Sequence, residues 1–231
     1  MKNLLKIGGP APAFRAITFG GKIVDTSELR GRKIWLSFYC YSTCQTCTKY
    51  LADIVKYEKS ILERNVSRIG VFKSPTGLIT SALCGRGAST FPIIADPSEA
   101  LFQLYGAQAK KGVLGSLFGG SGKKNSAGGD VNHMPAHFLI DELGILCTSF
   151  YGKTDADHIP WAVVDQFSKQ PSTFKTTSNA KPSVSDEEVL DLTGTMTLDK
   201  GALKGKPQKE RTLIQKIEKT ATDIWRRFEG T

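Results

Sequence analysis

The order of elements in the sequence predicts an α/β layer fold: a central mixed sheet flanked by helices, followed by a linker and a C-terminal helix. Three observations predict it. Short β-branched and aromatic runs alternate with segments of helical periodicity, two adjacent strand signals close the folded part as a hairpin, and the composition turns polar after residue 170.

Phe14–Phe19 and Lys22–Asp25 flank Gly20-Gly21 and read as a hairpin. Lys33–Tyr39 is apolar and aromatic enough for a buried strand. Ser42 and Thr43 then offer N-caps to a helix through about Arg64. In that helix Tyr50, Leu51, Ile54, Val55, Tyr57, Ile61 and Leu62 recur at helical spacing. Ser67–Lys73 reads as the next strand, Thr76 to about Cys84 as a helix, and Pro92–Asp96 as a short strand and turn. Ser98 is placed to cap a helix through Leu104, ended by Gly106. Ala136–Asp141 and Ile145–Tyr151 form a second hairpin around Glu142, Leu143 and Gly144. Asp157 starts a last helix through Phe167, with Pro160 in its first turn.

These elements define one domain over residues 1–170, interrupted at 110–130 by a flexible loop rich in Gly, Ser and Lys. Residues 171–206 read as a linker with little fixed structure. Residues 207–228 recover an amphipathic helix, with Leu213, Ile214, Ile217, Ala221, Ile224, Trp225 and Phe228 on one side. The chain carries a net charge of +9, and residues 1–170 hold 20 Lys and Arg against 13 Asp and Glu. No dense basic run is interleaved with aromatics, so no nucleic-acid partner is expected. An acidic protein surface or an anionic membrane fits the charge better, and residues 207–228 are the candidate contact with an assembly or a membrane surface. No stretch has the apolar length to cross a bilayer, and the start of the chain is too short for a secretory signal.

Five cysteines stand at 40, 44, 47, 84 and 147. An odd number, three of them crowded, points to reactive thiols in the cytoplasm or another reducing compartment, not to a disulfide framework. Cys44 and Cys47 form a C-x-x-C pair between a buried strand and a helix. There the first sulfur meets unpaired backbone N–H groups and the positive end of the helix dipole, which favour thiolate. The second, one turn on, is placed to close or resolve a disulfide. Cys147 alternates within a strand and reads as core, and Cys84 as a helix-end residue.

The blocks Gly9–Phe14, Leu29-Arg30-Gly31, Trp35–Tyr39, the C-x-x-C, Phe91–Asp96, Met134–Asp141 and Tyr151–His158 together resemble the peroxiredoxin-like branch of the alkyl hydroperoxide reductase C/thiol-specific antioxidant family, within the thioredoxin superfamily. The resemblance covers roughly residues 8–168 and implies a thioredoxin-like fold. It also implies that Pro135 is a cis-proline facing the C-x-x-C and presenting the Met134 backbone to a thiol substrate. The chain departs from the family's Pro-x-x-x-Thr-x-x-Cys pattern, since Cys40, Cys44 and Cys47 fill its Pro, Thr and Cys positions. Near Phe138, where the family carries an Arg, stand Pro135 and His137. Losing these donors weakens a peroxidase; disulfide exchange needs neither.

The expectation is thiol–disulfide exchange with Cys44 attacking and Cys47 resolving, supported by Thr43, Cys40, His133, Met134 and Pro135. Its partner is a thiol or disulfide protein or a small-molecule reductant. The alternatives are a thiol-dependent peroxide reductase acting through Cys47, and a non-catalytic, redox-responsive module docking on a larger assembly. The spacing Cys40-x3-Cys44-x2-Cys47 also equals the cluster-binding signature of radical S-adenosylmethionine enzymes, but the residue before the last cysteine is Thr46, not an aromatic. No cofactor or metal is expected, because the sulfur couple carries its own two electrons and no fourth zinc ligand is placed.

Overall fold

The computed structural model describes residues 5–83, 91–108, 134–172 and 189–194. Cys84, the 110–130 loop, His133 and the 207–228 helix lie outside the described residues.

The strands are β1 (Phe14–Ile17), β2 (Ile23–Asp25), β3 (Lys33–Tyr39), β4 (Val66–Phe72), β5 (Ile93–Ala95), β6 (Ala136–Ile140), β7 (Leu146–Tyr151) and β8 (Leu190–Asp191). The helices are α1 (Gln45–Val55), α2 (Glu58–Glu63), α3 (Thr76–Leu83), α4 (Ala100–Leu104) and α5 (Trp161–Lys169). Five strands form a mixed sheet in the order β5-β4-β3-β6-β7, with β4 parallel and β6 antiparallel to central β3. A second sheet, β2-β1-β8, adjoins the β5 edge, where the Phe19 N–H donates to the Ile93 carbonyl at 2.8 Å.

Every residue of β3, β4 and β6 is buried, and their period of two splits the large sheet into two faces. On one face Ile34, Leu36 and Phe38 pack with Ile69, Val71, Phe138 and Ile140 under Phe102 of α4 and Tyr105. Phe38 meets Phe102, Tyr105 and Phe138 with ring centroids 5.0, 5.4 and 5.6 Å apart. Such contacts add about 0.5–1.5 kcal/mol per pair to the area buried. The opposite face carries Trp35, Ser37 and Tyr39 beside Arg68, Phe72, His137 and Leu139, and is covered in part by residues of α1, α2 and α5.

Several ends differ from the sequence expectation. The N-cap of α1 is Cys44, not Ser42 or Thr43. The Ser42 N–H is instead taken by the Ser74 hydroxyl at 2.9 Å, and Thr43 is exposed. The helix expected through Arg64 breaks at Lys56. The Tyr57 N–H turns back to the Ile54 carbonyl, its ring stacks on Trp161 at 3.9 Å, and α2 restarts with Glu58 pointing inward to Arg68. The N-cap of α4 is Glu99, not Ser98, and the Asp96 carboxylate accepts the N–H groups of Ala100, Leu101 and Phe102 at 3.0, 2.8 and 3.1 Å. The last helix starts at Trp161, since Pro160 forces Ile159 out of helical geometry.

The expected linker 171–206 also needs correction. Within it Leu190–Asp191 pairs in parallel with β1, and Leu192 is buried in the core, so apolar burial and two backbone bonds to Ala13 and Arg15 fix this stretch.

Candidate active site

Cys40 leaves the C-terminal end of β3, with its carbonyl accepting the Lys73 N–H at 3.3 Å. A turn closed by the Cys44 N–H on the Tyr41 carbonyl then delivers Cys44 to the N-terminus of α1. Cys47, Thr48, Leu51 and Ile54 form the buried stripe that seats α1 on the sheet. The chain therefore brings three thiols to one end of the sheet: Cys40 and Cys47 buried, Cys44 half-buried. The Cys47 and Cys40 Sγ atoms are 3.6 Å apart, and all three Sγ atoms lie within 4.8 Å of one another.

The three sulfurs are electrostatically unequal. The neighbouring Cys40 and then Cys47 thiols, within 4.8 Å, favour charge on Cys44, and the Thr46 hydroxyl at 2.9 Å adds to them against the cost of burial. Together they hold the Cys44 thiol far below the ordinary range. The first turn of α1 carries no acidic side chain to compete for the helix N-terminus. Cys40 is pushed strongly upward by the neighbouring Cys44 and Cys47 sulfurs and by burial. Cys40 also pulls on Cys47, but contact with Cys44 and burial outweigh that pull and push Cys47 up to about 12. The half-buried sulfur is the one whose surroundings favour the thiolate, and the two buried ones are favoured as thiols.

A buried polar network lies on the same sheet face. His137, opposite Ser37 in the β3–β6 register, bonds the Ser37 hydroxyl through Nδ1 at 3.0 Å. Its Nε2 meets His158 Nδ1 at 3.1 Å, one ring donating and the other accepting. Burial first, then His158 and Arg68, keep His137 neutral well below the usual range. Burial brings His158 down to about 4, partly offset by attraction from Cys44. Tyr50 of α1 stacks flat on His158 at 4.0 Å and donates its hydroxyl to the Ile159 carbonyl at 2.9 Å. Arg68 pairs with Glu58 at 2.8 Å, donates to the Tyr39 hydroxyl at 3.4 Å and stacks on Phe91. Gly70 leaves room for that ring, since a Cβ there would come within 2.8 Å of it.

Of the residues expected at the site, Cys40, Cys44 and Cys47 converge. Pro135 is buried at the head of β6. Ala136 pairs with Phe38, which sets Pro135 and the half-buried Met134 at the same sheet end as Cys40. The cis-proline is a correction: no cis peptide bond occurs among the described residues. The Pro135 carbonyl accepts the Gly152 N–H at 2.8 Å, so extended pairing with the β7 side runs back through it, and trans is the commoner isomer. Thr43 bonds none of the sulfurs; Thr46, which sequence reasoning passed over, does. His137, His158 and Tyr50 were also missed as site residues. Two of the chain's three histidines falling in the family-like blocks was the available signal.

Three sulfurs this close could share one soft ion, but a structural zinc takes four ligands. Among the described residues no His, Asp or Glu completes the set.

A Mycobacterium tuberculosis protein named as a peroxiredoxin is 22% identical over 152 residues, covering 66% of this chain and 88% of its own length. The thiol-disulfide oxidoreductase ResA of Bacillus anthracis is 20% identical over 158 residues, covering 68% and 77%. Among solved structures, peroxidoxin BcpB from Mycobacterium tuberculosis superposes with a TM-score of 0.53 at 19% identity, covering 71% of this chain and 94% of that one. A Chlorobium tepidum structure described as a thiol:disulfide interchange protein DsbE gives 0.52 at 20%, covering 71% and 95%. These neighbours show the thioredoxin-like fold. Residues 7–148, more than half of the chain, match the sequence model of the AhpC/TSA family, and the chain belongs to that family.

Proposed function

We propose that the protein is a thiol–disulfide oxidoreductase in which Cys44 attacks and Cys47 resolves. The observation that carries this reading is the asymmetry of the pair. Cys44 is the half-exposed N-cap of α1, beside a hydroxyl and two thiols, while Cys47 is fully buried one turn inside. Attack needs a reachable thiolate, and resolution needs a neighbour held in place. Cys44 thiolate displaces one sulfur of a substrate disulfide and forms a mixed disulfide. Cys47 then gives up its proton and attacks Cys44, releasing the second substrate sulfur as a thiol. The names of the relatives, ResA and DsbE among them, point the same way. The partner is then a disulfide or dithiol protein, or a small-molecule thiol, in a reducing compartment.

Peroxide reduction through Cys47 is the weaker reading. That sulfur is 0% exposed and its proton is held up to about 12. Two double variants decide between the sulfurs. Cys40→Ser/Cys47→Ser leaves Cys44 alone of the three, and Cys40→Ser/Cys44→Ser leaves Cys47. With glutathione disulfide, the first should take up one glutathione at Cys44 and the second none. Uptake by the second variant alone, or its faster oxidation by hydrogen peroxide, would move the attack to Cys47.

A further inference from the structure

The C-x-x-C pair has a third partner. Cys40 and Cys47 approach within 3.6 Å in one apolar cluster with Tyr39, Leu51, Phe72 and Ile93. The backbone of each is held in place. Cys40 is anchored by the end of β3 and its backbone bond from Lys73, and Cys47 lies on the seated face of α1. Cys47 therefore sits beside two thiols in opposite settings, a half-exposed one at the N-terminus of α1 and a buried one at the end of β3.

In thiol–disulfide exchange the sulfur that leaves most readily is the one most stable as thiolate. In a Cys44–Cys47 disulfide that sulfur is Cys44, which keeps the helix N-terminus and the Thr46 hydroxyl as donors. We propose that Cys40 is a second resolving thiol, which takes Cys47 from Cys44 so that the oxidised protein rests as a buried Cys40–Cys47 disulfide with Cys44 free. Cys40 sulfur attacks Cys47, the Cys44–Cys47 bond breaks, the Cys40–Cys47 bond forms, and Cys44 receives the electron pair. The proton lost by Cys40 matches the one that Cys44 or solvent accepts, and no outside oxidant or reductant enters this step. The oxidised chain then keeps a reactive sulfur, ready to engage a second substrate or the reductant that resets it. This rests on the exchange reading above.

The sequence supplies the assay. Tyr41 separates Cys40 from Cys44 and Cys47, so chymotryptic cleavage there tells the two disulfides apart. The full chain is oxidised with one equivalent of glutathione disulfide, acid-quenched at intervals, alkylated and digested without reduction. The expected course is an early Cys44–Cys47 product that gives way to peptides joined across the Tyr41 cut, with the alkyl label on Cys44. Cys40→Ser should stop at Cys44–Cys47 and lose the Cys44 label at the endpoint. Cys44→Ser oxidised with diamide should still join Cys40 to Cys47, which tests the pairing without the first step. If Cys44–Cys47 persists as the sole product and diamide fails to join Cys40 to Cys47, the proposal is overturned and the exchange reading stands. If neither disulfide forms, both fall.

Discussion

The two faces of the central sheet are built from the same three strands and do different things. Ile34, Leu36 and Phe38 of β3, with Val71, Phe138 and Ile140, make a face of hydrocarbon and rings whose cluster includes none of the described thiols. One residue along, Trp35, Ser37 and Tyr39 of β3, with Arg68 and His137, make a face that buries an ion pair, a serine and histidines under the helix that starts at Cys44. Alternation along a strand thus separates packing from chemistry by a single residue. The apolar face needs only good volume. The polar face depends on its pairings: Arg68 finds Glu58 and His137 finds Ser37, while Trp35 Nε1, Arg68 Nε and His158 Nε2 are buried without a partner, so losing one more pairing is costly.

Breaking the apolar face tests this directly. Phe138→Ala should cost about 3–5 kcal/mol in chemical denaturation, while the Cys44 alkylation rate per folded molecule stays unchanged. A loss of Cys44 reactivity at full folding would join the two faces. On the other face, Glu58→Gln leaves the buried Arg68 guanidinium without its counter-charge. It should destabilise by a similar amount, about 3–5 kcal/mol, and a cost under about 1 kcal/mol would show that the Tyr39 hydroxyl and Phe91 ring suffice.

The histidines sharpen the comparison through pH. His158 titrates near 4 in the fold against about 6.5 unfolded, so the unfolded chain binds the extra proton first as pH falls. Its contribution is complete above pH 6.5, is lost between about 6.5 and 4, and amounts to about 3 kcal/mol or less. His137, lowered in the same direction by burial, adds to the loss. Urea midpoints from pH 7 to 4 should fall in wild type and fall less in His158→Gln. Equal slopes would remove His158 from the balance. The smallest effect is expected from Thr46→Ala, which deletes one donor to the Cys44 sulfur. A donor to a charged sulfur is worth about 1.5–3 kcal/mol at most, so the Cys44 titration should rise measurably towards the ordinary thiol range.

The local parts of this architecture were legible in the sequence, and the long-range parts were not. Lys33–Tyr39 is the predicted strand residue for residue, because five apolar or aromatic side chains in a run of seven buried positions leave little choice. The thiol trio was legible too, since its spacing fixes it on one strand end and one helix turn. The break after Lys56 was not, because it depends on Glu58 reaching Arg68 and Tyr57 reaching Trp161, 104 residues away in the chain. The pairing of His137 with Ser37, across 100 residues, required the β3–β6 register. Likewise Leu190–Asp191 sits in a polar stretch whose composition hides its pairing with β1.

The division of labour between Cys44 and Cys47 is tested most directly by mapping the rate of iodoacetamide modification at each cysteine against pH. The account predicts that Cys44 reacts first, at a rate flat through neutral pH and falling only in acid, while Cys47 stays unmodified until the chain unfolds. A Cys44 rate that climbs around the ordinary thiol value of about 8.5, or a Cys47 that reacts first, would contradict it.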